Sequence, residues 1–187
     1  MKSLQQLCQI IVAELEDTLS GIANEQAEEL VKAILNSEKV LVAGAGRSGF
    51  AVKAFAMRLM QMGFDAYVVG ETVTPNLTTE DILIIGSGSG STGSLVVMAK
   101  KAKVIGAKIG LVTIDAGSPI GKLADIVLTI PAPSPKIEKD TGFKSIQPMG
   151  SLFEQSLLLT LDAIILMLME RSEQNSDVMF RRHANLE

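Results

Sequence analysis

The sequence predicts an α/β fold in which a parallel sheet is covered by helices. Three observations carry this. Short β-branched runs that end at glycine alternate with stretches of helical period. The runs are apolar at consecutive positions, as expected of strands buried on both faces. The chain has 187 residues, 47% of them hydrophobic, enough for one domain with a substantial core.

Residues 3–20 place Leu4, Leu7, Cys8, Ile11, Val12 and Leu15 at the three-and-four spacing of an amphipathic helix. Asn24 can cap a second helix that runs to about Leu35. The period then changes. Lys39 to Ala43 reads as a buried parallel strand running into Gly44, and a helix follows from about Ser48 to Met62, closed by Gly63. Further strands are expected at 66–69, 82–85, 109–114 and 126–130, with a helix over 92–105. Strands alternating with helices imply right-handed βαβ units. Residues 131–150 hold four prolines and are too long for an idle connection, so a functional lid or subunit-spanning loop is expected there. A long apolar helix over 151–170 and a short one near 177–182 complete the chain. The whole is expected to be one domain: N-terminal helices over about 1–36, a core over about 38–130, the loop, then C-terminal helices over 151–187.

Composition excludes several classes. A net charge of −4 argues against electrostatic nucleic-acid binding, and the lack of Trp argues against a stacking platform. The apolar run Leu157 to Met169 is about 13 residues and contains Asp162, short of the roughly 20 that span a membrane. It is expected to be a buried or intersubunit helix, with too few wet faces for a monomer's outer helix. The start lacks the apolar core of a signal peptide, and the lone Cys8 fits a reducing compartment, so a cytoplasmic location is expected. One His, one Cys and no ligand cluster give the sequence no metal-site signature.

Chemistry is expected at two glycine-rich turns, because open parallel sheets bind ligands at the carboxyl ends of their strands. The loop Gly86 to Ser94 is the stronger signal. Its glycines let backbone N–H groups converge on an anion, and Ser87, Ser89, Ser91 and Thr92 add hydroxyls. The helix beginning near Thr92 points its positive end there. Having no Lys, the loop is not a nucleotide triphosphate P-loop; donors without a cation suit a phosphate monoester. The alternative is a flexible Gly/Ser turn. The turn Gly44 to Gly49 spells G-x-G-x-x-G, and Glu71 stands where a ribose-binding acid would, so a dinucleotide site is a competing reading.

Together the turns resemble the sugar isomerase (SIS) domain, which pairs Gly-x-Gly-x-Ser, here Gly44 to Ser48, with Ser-x-Ser-Gly-x-Thr, here Ser87 to Thr92. Gly44 to Gly49, Phe55 to Met60, Ile146 to Gln155 and the tail His183 to Glu187 further resemble the 6-phospho-3-hexuloisomerase family over nearly the whole chain. Ser91 departs from the Glu of many SIS loops. The resemblance implies a flavodoxin-like three-layer sandwich with a five-stranded parallel sheet and extra N- and C-terminal helices. It also implies a homotetramer with sites near subunit boundaries, and no cofactor. The implied substrate is a phosphorylated ketohexose: 3-hexulose 6-phosphate is interconverted with fructose 6-phosphate in the ribulose monophosphate route of formaldehyde fixation. A regulatory sugar-phosphate-binding module, or another aldose–ketose phosphate isomerase, is the alternative.

Moving a carbonyl from C3 to C2 requires a base to take the C2 proton and return it at C3 through a cis-enediol. A carboxylate suits this if its pKa is raised toward neutrality. Glu154, in the first turn of the apolar helix, is the candidate; its competing role is a capping box with Ser151. His183 is the only imidazole and could open the ring or shuttle a proton between O2 and O3, or be an exposed tail residue. Substrate and phosphate contacts are expected from Arg47, Ser48, Ser87, Gly88, Ser89, Gly90, Ser91 and Thr92. Arg47 could instead be a surface cation and Ser48 a helix cap. Glu71 and Thr72 could line the sugar pocket.

Overall fold

Strands covered on both faces must be apolar on both sides, and here they are. In the computed structural model, which describes residues 1–135, 144–172 and 174–186, β1 (Lys39–Gly44), β3 (Ile82–Gly86) and β4 (Lys108–Thr113) are buried along almost their full length. The shorter β2 (Asp65–Val68) and β5 (Ile126–Thr129) form the edges and are less buried. All pairings are parallel, in the order β2-β1-β3-β4-β5. This is the five-stranded flavodoxin-like sheet that the resemblance implied.

Alternate residues divide the core in two. Val40, Val42, Ile82, Ile84 and Val112 face α2 (Asn24–Leu35), α3 (Gly46–Met62) and α5 (Ser151–Arg171). Leu41, Ala43, Leu83, Ile85, Ile109 and Leu111 face α4 (Gly93–Ile105) through Leu95, Ala99 and Ala102, with Ile120 beside them. A fully buried Phe55 or Leu111 each stabilises the fold by roughly 1.5–3 kcal/mol relative to exposure. Two of the four crossovers, β1 to β2 and β3 to β4, carry a helix. The other two cross by irregular chain, so α4 shares its face with Leu77 and Leu123 rather than with a second helix.

Helix ends follow the expected chemistry in part. Gly63 closes α3 at φ 96°, its N–H reaching the carbonyls of Leu59 and Met60. Asn24 does not cap α2; it is the first helical residue, and the cap position is Ala23, with no side-chain hydrogen bond. The first helix, α1 (Leu4–Ser20), is opened by a capping box between Ser3 and Gln6 that the periodicity did not reveal. The long C-terminal helix α5 has 21 residues and is long and apolar enough to cross a membrane. Half of its most apolar stretch is nevertheless buried in the fold, with Leu157, Leu161, Ile164 and Leu168 inside and Leu158, Leu159 and Leu166 facing out. It is a core helix with an apolar outer stripe. The chain ends in the short α6 (Ser176–Phe180). Of the expected 131–150 loop, residues 136–143 lie outside the described residues, as do residues 173 and 187 of the C-terminal region.

Candidate active site

Strand order reverses at β1, which has β2 on one side and β3 on the other. Chains leaving β1 and β3 therefore diverge to opposite faces and open a crevice between their carboxyl ends. Gly44 and Gly86, the first residues of the two glycine-rich turns, are register partners across this pair. The first turn needs its glycines for close approach. A Cβ at Gly49 would lie 2.9 Å from the Gly44 carbonyl oxygen, and one at Gly44 would lie 3.0 Å from the Gly49 Cα.

The second loop is stitched down through its acceptors. The Gly88 carbonyl accepts from the Ile114 N–H and the Thr113 hydroxyl, both at 3.0 Å, and the Gly90 carbonyl accepts from the Ile120 N–H at 3.0 Å. The N–H groups of Ser87, Gly90 and Ser91 are likewise used within the fold, so the loop offers the crevice those of Gly88, Ser89 and Thr92 together with its hydroxyls. Ser91 donates to Ser89 Oγ at 3.1 Å, which leaves the Ser89 proton for a ligand. Gly90 has φ +55°, and a Cβ there would come within 2.0 Å of Ser118 Oγ.

Three helices begin at the same place. The cap residues of α3, α4 and α5 are Ala45, Thr92 and Gly150, and none makes a side-chain capping hydrogen bond. All three line one cleft of about 250 Å³. Each helix start carries roughly half a positive charge on its unpaired N–H groups. The cleft thus has the field of an anion site even before a charged side chain is counted.

The acid and the cation of the cleft are paired. Glu154 Oε2 lies 3.1 Å from Arg47 Nε, and Arg47 Nη1 donates to Ser151 Oγ at 3.2 Å. The Arg47 side chain is 60% exposed and that of Glu154 only 21%. Ser151 is the first helical residue rather than the cap, so the capping box that competed for the Glu154 carboxylate does not form. The carboxylate is left facing the cleft, held from one side by a guanidinium.

Of the residues singled out in the sequence, Arg47, Ser48, Ser87, Gly88, Ser89, Thr92 and Glu154 line this cleft together. Ser48 is the third residue of α3 and not a cap. Gly90 and Ser91 shape the loop without lining the cleft, Gly90 through its left-handed backbone and Ser91 through Ser89. His183 is not brought there within one chain. It is exposed beyond α6, 5.8 Å from the Phe180 ring, with Nδ1 2.9 Å from the Ala184 carbonyl oxygen. It borders a separate cleft with Arg58 and Asp162. Glu71 and Thr72 also lie off the site, and Glu71 pairs with Lys53 at 3.4 Å, so the acid of the dinucleotide reading does not face the cleft. Among the described residues, no group of three or more His, Cys, Asp or Glu is placed to hold a metal ion. Sequence reasoning missed Ser134, Pro135, Met149 and Phe153 as cleft walls; the run of prolines was the available signal.

The SIS domain model matches residues 33–159, which contain both glycine turns and Glu154. The chain belongs to the SIS domain family. The SIS match begins after α1 and ends before His183. Similarity to individual proteins extends over the whole chain. It is 50% identical over 187 residues to the 3-hexulose-6-phosphate isomerase of Bacillus subtilis, with all of both chains covered. It is 41% identical over 175 residues to the enzyme of the same name from Mycobacterium gastri, covering 93% of this chain and 86% of that one. A crystal structure from Methanococcus jannaschii, for which a 3-hexulose-6-phosphate isomerase function is inferred, superposes with a TM-score of 0.84 at 32% identity, covering 96% of this chain and 98% of that one.

Proposed function

We propose that this chain is a 6-phospho-3-hexuloisomerase, interconverting 3-hexulose 6-phosphate and fructose 6-phosphate through a cis-enediol. One observation carries the reading: the Glu154 carboxylate faces the same cleft as the Ser87–Thr92 loop and three uncapped helix starts. A phosphate held at the starts of α3 and α4 leaves the sugar carbons to reach toward the carboxylate on α5. Full-length identity to relatives named for this activity supports the assignment.

In the proposed reaction the phosphate binds the N–H groups of Gly88, Ser89 and Thr92 and the hydroxyls of Ser48, Ser87, Ser89 and Thr92, all of which line the cleft. Glu154 takes the C2 proton, the C3 carbonyl oxygen gains negative charge, and Arg47 exchanges its bond to Glu154 for one to that oxygen. The proton of the O2 hydroxyl passes to O3, and Glu154 returns its proton to C3, leaving the carbonyl at C2. No atom is gained or lost. His183 would carry the proton between oxygens from a neighbouring subunit, which requires the homotetramer with sites near subunit boundaries. The apolar outer stripe of α5 supports such assembly. The reaction would serve the ribulose monophosphate route in the cytoplasm.

The test is to incubate the purified protein with 3-hexulose 6-phosphate and follow fructose 6-phosphate without added cofactor. Turnover is expected. Tight binding without turnover would instead indicate a sugar-phosphate-binding regulatory module, and a requirement for a nicotinamide would refute the isomerase reading.

A further inference from the structure

Residues 145–150 lead into α5 and supply Met149 and Gly150 to the cleft wall. Met149 has φ 59°, the left-handed region that a non-glycine residue occupies only where its surroundings hold it. Something must fix this segment, and the fixing group comes from the far end of the chain. Glu14, half-buried on α1, accepts three hydrogen bonds from consecutive residues: the Ser145 hydroxyl and the Ile146 N–H, both at 2.7 Å, and the Gln147 side-chain amide at 3.0 Å. Ser145 Oγ in turn accepts from the Gln147 N–H at 2.9 Å, so three residues close around one carboxylate. At the very next residue the Pro148 carbonyl accepts from the Ser151 N–H, and the Gly150 carbonyl accepts from that of Glu154. The anchor is thus continuous with the first turn of the helix that carries the candidate base.

We infer that Glu14 is a positioning residue for the cleft, setting the Met149–Gly150 wall and the start of α5 against a bound sugar. The inference rests on the proposed isomerase reading for its chemistry, but not for its geometry. The phosphate end of the cleft is built by β1, β3 and their turns and makes no use of the anchor. Loss of Glu14 should therefore harm the sugar end selectively.

Glu14→Ala and Glu14→Gln are compared with the parent in the full-length protein. For Glu14→Ala we expect kcat per folded molecule to fall on the order of 10- to 100-fold, the cost of a misplacement of about an ångström, while the inhibition constant for inorganic phosphate stays within twofold. Glu14→Gln keeps one acceptor and should fall between. By calorimetry, the affinity for fructose 6-phosphate should drop in Glu14→Ala while that for inorganic phosphate does not; this readout needs no turnover, so it decides the anchor even if the isomerase reading fails. If Glu14→Ala does not fold, Ser145→Ala/Gln147→Ala removes two donors from the other side and should show the same selective loss. Unchanged kcat and fructose 6-phosphate affinity, or an equal weakening of phosphate and sugar phosphate, would overturn the inference.

Discussion

Replacing Glu154 by Gln separates the chemical role of this side chain from its structural one. The structural part is small. The carboxylate forms no capping box, and its partner Arg47 is 60% exposed. Exposed ion pairs contribute about 0–1 kcal/mol, and Gln can still accept a bond from the guanidinium. For a chain of this length 1 kcal/mol corresponds to a shift in Tm of roughly 2–4 °C, which bounds the expected change. The chemical part is large. A positioned base contributes about 10²–10⁴-fold, or roughly 3–5.5 kcal/mol of barrier at 1.36 kcal/mol per decade. Glu154→Gln should therefore lose at least a hundredfold in kcat, bind inorganic phosphate as before, and melt within a few degrees of the parent. The assay is fructose 6-phosphate formation at saturating 3-hexulose 6-phosphate, normalised to folded protein by thermal unfolding. Activity per folded molecule within tenfold of the parent, or a fall in Tm large enough to account for the loss, would refute Glu154 as the base.

Other perturbations test other parts. Ser89→Ala should weaken inorganic phosphate and fructose 6-phosphate alike, by about 10- to 100-fold for one hydrogen bond to a charged group, as read by competition binding. Gly90→Ala forces a side chain into the left-handed region and against Ser118, and should abolish phosphate affinity while the far-UV circular dichroism is retained. If His183 serves a neighbouring site, His183→Ala and Glu154→Gln, each nearly inactive alone, should regain part of the activity when unfolded together and refolded as mixed assemblies. Burial raises the Asp81 carboxyl, but hydrogen bonds from Thr78 and from Lys39, with the Lys39 charge, outweigh it and hold it below its usual range. Its contribution to stability is complete above about pH 3.9 and is lost as pH falls through its lower folded value; acid titration of Asp81→Asn should lack this part of the transition.

The strands and the helices of the core were legible because burial on two faces demands uninterrupted apolar runs, and Ile82 to Ile85 is hard to read otherwise. The loop after β3 was legible as part of a cleft because glycine and serine together leave few other uses at a strand end. The meeting of Glu154 with Arg47 was not, because 107 positions separate them and only the packing of α3 on α5 joins them. The capping box at Ser151 was a fair local reading, and it failed by one position, with Gly150 taking the cap. Conversely, Ser3 and Gln6 do form such a box, which a search for hydrophobic spacing passes over. Glu14 carried no local signal at all: its partners lie across the molecule in a stretch whose prolines suggested a loop and nothing about its tether.

The three unadorned helix starts also bear on how the protein behaves when empty. A Ser, Thr, Asp or Asn cap bonded to each would be worth about 1 kcal/mol, so the unliganded fold forgoes roughly 3 kcal/mol that ordinary sequence choices could supply. On the proposed reading a bound phosphate acts as one cap shared by α3 and α4, the helices that follow β1 and β3. At a hundred times its Kd a ligand adds about 2.7 kcal/mol, which here means a rise of roughly 5–10 °C in melting temperature. The choice between phosphate and amine buffers would then set the apparent thermal tolerance of the protein more than most single substitutions, and a simple melting screen over phosphorylated compounds would rank its ligands.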